Sequence, residues 1–404
     1  MMDLGGVRVD ALAQEYGTPV LVIDTGVFDR AIEAVLAAAA PHGIAVSYAG
    51  KALLLTALVR HLHPRPVGID VCSIGELVTA ERGGFEASRL TLHGAGKTAE
   101  ELDAALDGRV GRIVVDGMDE LWALTSRAEG RHADVLLRFN TGIEAHTHEF
   151  IRTAGDRSKF GFAPSEASAA FAMLHACPSL QVRGVHAHIG SQIYDALPYV
   201  ENAQRLLVLL EQMRAAGFDA ADTLVIGGGY GVQMRPNATD ETIDVGGALA
   251  AVARVIPQGV RVEIEPGRAL IATPGTSLYR VMAVKRFEGR RFVIVDGSLA
   301  DNPRPLLYGA YHHIVAAKPS EAPLAAATVC GRSCEADELG EAMLPDDLRA
   351  GDLVTMLDTG AYTYSMASNY NRYSRPPVVA VAKGTATLWA RREATESLSQ
   401  CDVG

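Results

Sequence analysis

Ser47-Tyr48-Ala49-Gly50-Lys51-Ala52 is the stretch on which the reading of this chain turns. The apolar run Ile44-Ala45-Val46 stops there, the helix-like run Leu53-Leu54-Leu55-Thr56-Ala57-Leu58-Val59 begins, and a single lysine stands at the junction. A lysine at the end of a buried strand is costly unless it is solvated, paired or chemically used. Taken alone, such a lysine most often snorkels to the surface. The rest of the chain changes that balance, because seven further apolar strands follow and most end in a polar or glycine-rich group.

Strands are predicted at 45–48, 68–72, 90–93, 112–116, 134–140, 182–189, 223–226 and 261–265, with helical patterns between them at 75–82, 99–106, 118–126, 164–175, 198–216 and 246–255. Eight strand–helix alternations in about 250 residues meet the requirement of a closed parallel (β/α)8 TIM barrel. The strands read as continuous Val/Ile/Leu runs, as parallel strands covered on both faces do. A barrel over 25–270 is therefore expected. Its chemistry would sit at the C-terminal strand ends, which carry Lys51, Asp70, His93, Asp116, Arg138, His188, Gly227-Gly228-Gly229 and Glu265. The segment 140–162 interrupts the rhythm, and a loop of that length in a compact domain is usually functional. After Glu265-Pro266-Gly267-Arg268 helices give way to strands, predicted at 277–285, 291–296, 328–330, 352–357 and 378–390. The expectation is a second, mainly β domain over 271–404, completed by residues 1–24, in which a helix at 10–16 lies between short strands.

The 404 residues carry 48% hydrophobic and 21% charged side chains, as an ordinary globular protein does. A net charge of -11 without any lysine/arginine block argues against a nucleic-acid partner, since phosphates need a basic face. No apolar run approaches the roughly 18 residues of a membrane span, and the first residues lack a signal-peptide pattern, so a cytoplasmic protein is expected. Five scattered cysteines make no disulfide framework. Cys330 and Cys334 have no second pair, and His146/His148 and His186/His188 lack nearby thiolates or helical spacing, so no metal is expected.

Gly227-Gly228-Gly229-Tyr230-Gly231 follows the strand Leu224-Val225-Ile226, where bare N–H groups can cradle a phosphate. A tight turn explains the glycines equally well. Val232 stands where a dinucleotide fingerprint needs its third glycine, and Thr91 spoils the P-loop likeness of Gly94-Ala95-Gly96-Lys97-Thr98. A phosphate-bearing cofactor that bonds covalently to a lysine is pyridoxal 5'-phosphate, whose ring draws electrons when an acid keeps its nitrogen protonated. Glu265 is the candidate acid, and His188 either lies against the ring or is a hydrogen-bonded core histidine.

These residues resemble a family. The chain is similar, from about Tyr16 to about Ala380, to the fold-type III pyridoxal-phosphate decarboxylases, which include ornithine, arginine and diaminopimelate decarboxylases, with alanine racemase more distant. The likeness rests on Tyr48-Ala49-Gly50-Lys51-Ala52, Asp70-Val71-Cys72-Ser73-Ile74-Gly75-Glu76-Leu77, His93-Gly94-Ala95-Gly96-Lys97-Thr98, Ala145-His146-Thr147-His148-Glu149, Ser158-Lys159-Phe160-Gly161, His188-Ile189-Gly190-Ser191-Gln192, Glu265-Pro266-Gly267-Arg268, Arg304-Pro305 with Tyr308-Gly309, Cys334-Glu335, and Gly360-Ala361-Tyr362 with Met366-Ala367-Ser368-Asn369-Tyr370-Asn371. The His-Thr-His segment and the Cys-Glu pair point to the diaminopimelate branch.

The resemblance implies that Lys51 carries the cofactor covalently, that His188 stacks on its ring and that Glu265 pairs with the ring nitrogen. Asp70, Arg138 and Arg268 belong to the same cofactor-binding set, and Ser191, Gly227, Gly228, Gly229, Gly267 and Tyr362 would hold the phosphate. Arg268, Arg304 and Tyr308, with Tyr362 beside them, would take the substrate carboxylate remote from the reacting carbon. Cys334 would act as proton donor and Glu335 as partner of the remote ammonium, both in the neighbouring subunit's site of a homodimer. The implied reaction is decarboxylation of meso-2,6-diaminopimelate to L-lysine; the alternative is a related decarboxylase acting on another amino acid, an adduct or a carrier-tethered substrate. Two segments depart from the usual pattern of the branch: Cys334-Glu335-Ala336-Asp337-Glu338 against Cys-Glu-Ser-x-Asp, and Asp296-Gly297-Ser298-Leu299 against Gly-Gly-Met. A non-catalytic relative is disfavoured because Lys51 and Cys334 are both retained.

Overall fold

The computed structural model describes residues 1–143, 158–235 and 243–403. The chain divides into two compact units, one of Glu33–Val232 and Thr242–Gly267, the other of Met1–Ile32, Gln233–Glu241 and Arg268–Gly404.

The first unit is a closed barrel of eight strands: Ala45–Ala49, Gly68–Val71, Leu90–Leu92, Arg112–Val115, Ala133–Arg138, Leu180–His186, Thr223–Val225 and Arg261–Ile264. Every neighbouring pair is parallel, and the ring closes where Glu263 and Ile264 of the last strand stand opposite Ala45 and Val46 of the first. Apolar side chains fill the strands on both faces, with Ile69, Val71, Leu92, Ile113, Val135, Val185 and Leu224 all fully or almost fully buried. The helices start where the local sequence supplies caps. Ser73 accepts from the backbone N–H of Glu76 before Ile74–Arg82, Thr98 and Glu101 form a reciprocal capping box before Ala99–Leu106, and Asp244 caps Val245–Ala253. At the N-terminal strand ends a cleft of about 630 Å³ is lined by Arg112, Arg183 and Arg261. Their guanidiniums pair with Glu263, Asp134 and Asp222. That end is charged but internally balanced, which leaves the unneutralised chemistry to the opposite, C-terminal ends.

The second unit is built on a sheet whose strands run in the order Glu338–Pro345, Leu324–Cys330, Arg290–Val295, Gly275–Phe287, Val20–Asp24, Val378–Ala382, Thr385–Ala390, with Leu353–Met356 also paired to Gly275–Phe287 and Ile314–Ala316 paired to Leu353–Met356. Val20–Asp24 lies antiparallel to Gly275–Phe287 and parallel to Val378–Ala382, so the N-terminal segment does complete this sheet. Val9 and Leu12 of the helix Val9–Tyr16 are buried with Val20, Val22, Leu278, Val379 and Val381.

One strand expectation needs correction, and one long strand was not expected. The run 378–390 is a hairpin rather than one strand, because Lys383 (φ 48°) and Gly384 (φ 78°) turn the chain through the left-handed region. Glu338–Pro345, rich in residues of poor β propensity, becomes a strand by pairing along the whole of Leu324–Cys330. The expected functional loop at 140–162 lies largely outside the described residues, as do His146 and His148.

Candidate active site

Most of the residues singled out by the sequence fall into a polar cluster at the C-terminal strand ends of the barrel and a second in the β unit. In the barrel, Lys51 sits in a tight turn, Gly50–Ala52, directly after the first strand, and its side chain is exposed. Gly267 packs against the same turn: a Cβ there would lie 3.0 Å from Ala49 Cβ and 3.2 Å from that of Ala52. The neighbouring Cys72 thiol is pushed up to about 12 by burial and by Glu76, which makes it inert as a nucleophile.

The glycine turn is required by close backbone approach. A Cβ on Gly227 would meet Ala187 O at 2.7 Å, one on Gly228 would meet Glu265 O at 2.1 Å, and one on Gly229 would meet Gly190 O at 2.2 Å. Gly227 and Gly229 also adopt φ of 76° and 93°. The turn thereby locks the ends of three strands together. The Gly228 N–H donates to His188 Nδ1 at 3.2 Å, which leaves that imidazole neutral with its hydrogen on Nε2. Burial and then the charge of Lys51 lower the His188 pKa well below its ordinary value, consistent with a neutral ring.

Glu265 lies just past the last strand and is more than nine-tenths buried. Burial alone would raise its pKa, but His186 and His93 outweigh it and hold the group well below the usual carboxylate range. Asp70, nearby in charge terms, is instead raised by burial and by Glu265. Two carboxyl groups with oppositely displaced pKa values are the arrangement that divides acid from base roles. Arg138 pairs with Asp116 at 3.3 Å and lies 4.3 Å over the ring of Phe160. Asp116, like Asp70, stands at a strand end and is raised by burial.

The second cluster belongs to the β unit. Arg268 and Arg304 are both buried, and their guanidinium carbons lie 4.9 and 5.7 Å from the centre of the Tyr362 ring. Arg304 is also 5.6 Å from the ring of Tyr308. Tyr362 is held at φ 61°, a strained conformation for an aromatic residue and one that recurs where a side chain must be aimed. Arg304 forms no ion pair among the described residues, and its buried Nε has no hydrogen-bond partner. Burial, then the adjacent Arg268, push its pKa down to about 10. Two like charges buried around one phenol ring are an arrangement able to receive an anion, and planar guanidinium forks suit a carboxylate.

Cys334 and Glu335 are exposed on a loop of the same unit, yet the loop is well fastened. The Cys334 N–H donates to Asn371 Oδ1 at 3.0 Å, the Tyr370 hydroxyl donates to Glu335 Oε1, and Arg332 O accepts from the Tyr373 hydroxyl at 2.9 Å. Asp337, buried at φ 50°, accepts from the N–H groups of Leu299 (2.6 Å) and Ser333 (2.9 Å). Ser191 lies just beyond the His188 strand end, half-buried. Reading strand ends alone missed Asp337, Tyr370 and the part played by His186. Only His186 had a usable signal, since a residue two before His188 on an extended strand shares its face.

Over residues 27–272 the sequence matches the family described as "Pyridoxal-dependent decarboxylase, pyridoxal binding domain". The chain belongs to the pyridoxal-dependent decarboxylases. It is 42% identical to a diaminopimelate decarboxylase of Actinosynnema pretiosum subsp. auranticum, across 99% of this chain and 92% of that one, and 36% identical to the Bacillus subtilis diaminopimelate decarboxylase across 100% and 95%. The diaminopimelate decarboxylase of Helicobacter pylori complexed with L-lysine superposes with a TM-score of 0.91 at 30% identity, covering 97% of this chain and 98% of the other. The barrel of this pyridoxal-dependent decarboxylase fits the cofactor of its family: a lysine at the rim, a buried carboxyl group kept ionised, and a glycine turn behind a neutral imidazole.

Proposed function

We propose that this decarboxylase converts meso-2,6-diaminopimelate to L-lysine and carbon dioxide. The observation that carries the reading is the buried pair Arg268 and Arg304, with Arg304 unneutralised among the described residues. A substrate ending in a plain amine offers nothing to that pair, whereas diaminopimelate keeps a carboxylate at the end that does not react. The full-length likeness to diaminopimelate decarboxylases and the L-lysine complex of the Helicobacter pylori relative support the same choice.

When bound through Lys51, pyridoxal 5'-phosphate supplies an electron sink for the carbon that loses its carboxylate. Glu265, ionised, would hold the proton of the ring nitrogen, and His188, its Nδ1 tied to Gly228, would lie against the ring. Gly227, Gly229, Ser191, Gly267 and Tyr362 would hold the phosphate, Gly228 shaping the turn with its N–H given to His188, and Asp70 and Arg138 would complete the polar set. Arg268, Arg304 and Tyr308 grip the remote carboxylate and orient the substrate. The bond from carbon to carboxylate breaks, carbon dioxide leaves, and the Cys334 thiol delivers the proton that takes its place. Glu335 pairs with the remote ammonium. We further propose a homodimer in which Cys334 and Glu335 serve the partner's site, since both are exposed on a fastened loop that their own unit does not cover. Five free cysteines support a reducing, cytoplasmic setting.

The test is carbon dioxide release and product formation from a panel of meso-diaminopimelate, lysine, ornithine, arginine and N-acylated diamines. Preference for diaminopimelate by at least tenfold in kcat/KM is expected; equal or better turnover of any other member would reassign the substrate.

A further inference from the structure

Glu265 is gripped from two sides. His186 Nε2 lies 3.1 Å from Oε2, and His93 Nε2 lies 3.4 Å from Oε1. The three side chains come from the ends of three different barrel strands, and each is more than nine-tenths buried. The two imidazoles meet edge to face with centroids 5.2 Å apart. His93 Nε2 is also 3.5 Å from Asp70 Oδ1, and that oxygen accepts the Ser47 hydroxyl at 2.6 Å. The chain Ser47, Asp70, His93, Glu265, His186 thus runs across the floor of the barrel mouth.

A carboxyl group this deeply buried gives up its charge unless donors are aimed at it. His186 is such a donor. Burial pushes its pKa down to about 4, so at neutral pH it is an uncharged ring that offers an N–H through Nε2 and keeps a lone pair on Nδ1. The fixed N–H stabilises the anion without itself neutralising the charge, which leaves Glu265 able to pair with a further cation. His93 Nε2 completes no hydrogen bond among the described residues, but it lies within 3.5 Å of both acids, so a hydrogen on it faces Glu265 and Asp70 alike.

We infer that His186 and His93 are positioning residues that keep Glu265 ionised and aimed at the cofactor's ring nitrogen, His186 as the N–H donor and His93 as the tie to Asp70. The inference rests on the assignment of Glu265 to the ring nitrogen, and the test separates the two. Apoprotein is titrated with pyridoxal 5'-phosphate and with its 1-deaza analogue, in which a C–H replaces the ring nitrogen, and the affinity ratio is measured by fluorescence quenching. The wild type should favour the natural cofactor by roughly ten- to a hundredfold, the range expected of a charge-assisted bond. In His186→Phe the ratio should fall to within about threefold, by loss of affinity for the natural cofactor alone. His186→Gln, which restores an N–H, should recover most of it. His93→Leu gives a second reading of the same ratio if His186→Phe does not fold. A merely structural histidine would weaken both ligands equally and leave the ratio intact, which would overturn the inference. Equal affinities in the wild type would instead overturn the assignment of Glu265. The three ligand atoms also lie within 4.8 Å of one another, so a stoichiometric divalent metal in the purified apoprotein would reassign them as ligands and overturn the inference as well.

Discussion

Arg304→Met should make the protein more stable and a worse enzyme at once. The guanidinium is buried, has Arg268 as a like-charged neighbour, and its pKa is pushed from 12.5 down to about 10. At about 1.4 kcal/mol per unit, holding it charged in the folded protein costs on the order of 3 kcal/mol. The sign follows from the displacement: a base whose folded pKa lies below its unfolded value carries that cost in full below the folded pKa and sheds it only as pH climbs through the range from about 10 to 12.5. At pH 7.5 the whole cost is present. Methionine keeps most of the volume and removes the charge along with the unpartnered Nε, while the contacts with Tyr308 and Tyr362 give back roughly 1 kcal/mol. The expected net gain is about 1–2 kcal/mol, or roughly 2–8 °C in the melting temperature of a unit this size. The same change should raise KM for meso-diaminopimelate about a hundredfold, because a charge-assisted bond to the remote carboxylate is lost. Differential scanning calorimetry of the substrate-free protein, paired with steady-state carbon dioxide release, reads both effects. A lower melting temperature together with an unchanged KM would refute the assignment of the pair as an anion receptor.

Lys97 Nζ donates to Gly94 O, Val114 O and Glu120 Oε1 at 2.6–2.7 Å and is almost fully buried, so Lys97→Met should strand Glu120 and cost about 3–5 kcal/mol. Lys97→Met/Glu120→Leu should recover most of that loss in urea denaturation, and a single variant as stable as the wild type would refute the pairing. Burial raises the Asp301 carboxyl to about 7, so a folded-state penalty grows between pH 4 and 7 and is fully present above it. Asp301→Asn should therefore raise the melting temperature at pH 8 and do little at pH 4; a gain of equal size at both would show that the charge is not the cause. Mixing Lys51→Ala with Cys334→Ala under verified subunit exchange should restore about a quarter of wild-type activity if sites are shared across a two-fold axis. No recovery would place Cys334 in its own subunit's site or outside any site.

The barrel was legible because its strands are short segments rich in Val, Ile and Leu that recur at regular spacing, and polar residues cluster where each of them stops. Lys51, Asp70, His93, Asp116, Arg138, His188 and Glu265 all fall at or just past such ends. The β unit was less legible, since its strands are held by neighbours far off in sequence: Val20–Asp24 gains its place from partners at 275–278 and 378–381. Periodicity cannot announce pairing over such separations. The same limit hid the placement of two histidines around Glu265, which needs residues 186 and 93 to be brought to 3.1 and 3.4 Å from the carboxylate of residue 265. Lys97 shows the opposite failure, a residue whose local sequence imitates a phosphate loop while its ammonium is consumed by two carbonyls and a glutamate.

The two segments that depart from the usual pattern of the diaminopimelate branch turn out to be one feature. Asp337, one place nearer to Cys334 than the aspartate of Cys-Glu-Ser-x-Asp, is the buried residue, whereas Glu338 is exposed and opens the next strand. The Asp337 carboxylate accepts the N–H of Leu299, inside the second departing segment, and that of Ser333 just before the cysteine. Between them, Gly331 leaves no room for a Cβ, which would lie 2.4 Å from Asp337 Oδ2 and 2.6 Å from Ser298 Cα. With the aspartate at 337 rather than 338, its carboxylate reaches backbone N–H groups of both loops. The departures thus meet in one hydrogen-bonded clasp directly beside the Cys334–Glu335 loop, a structural role that accounts for both without any change in the chemistry of the substrate.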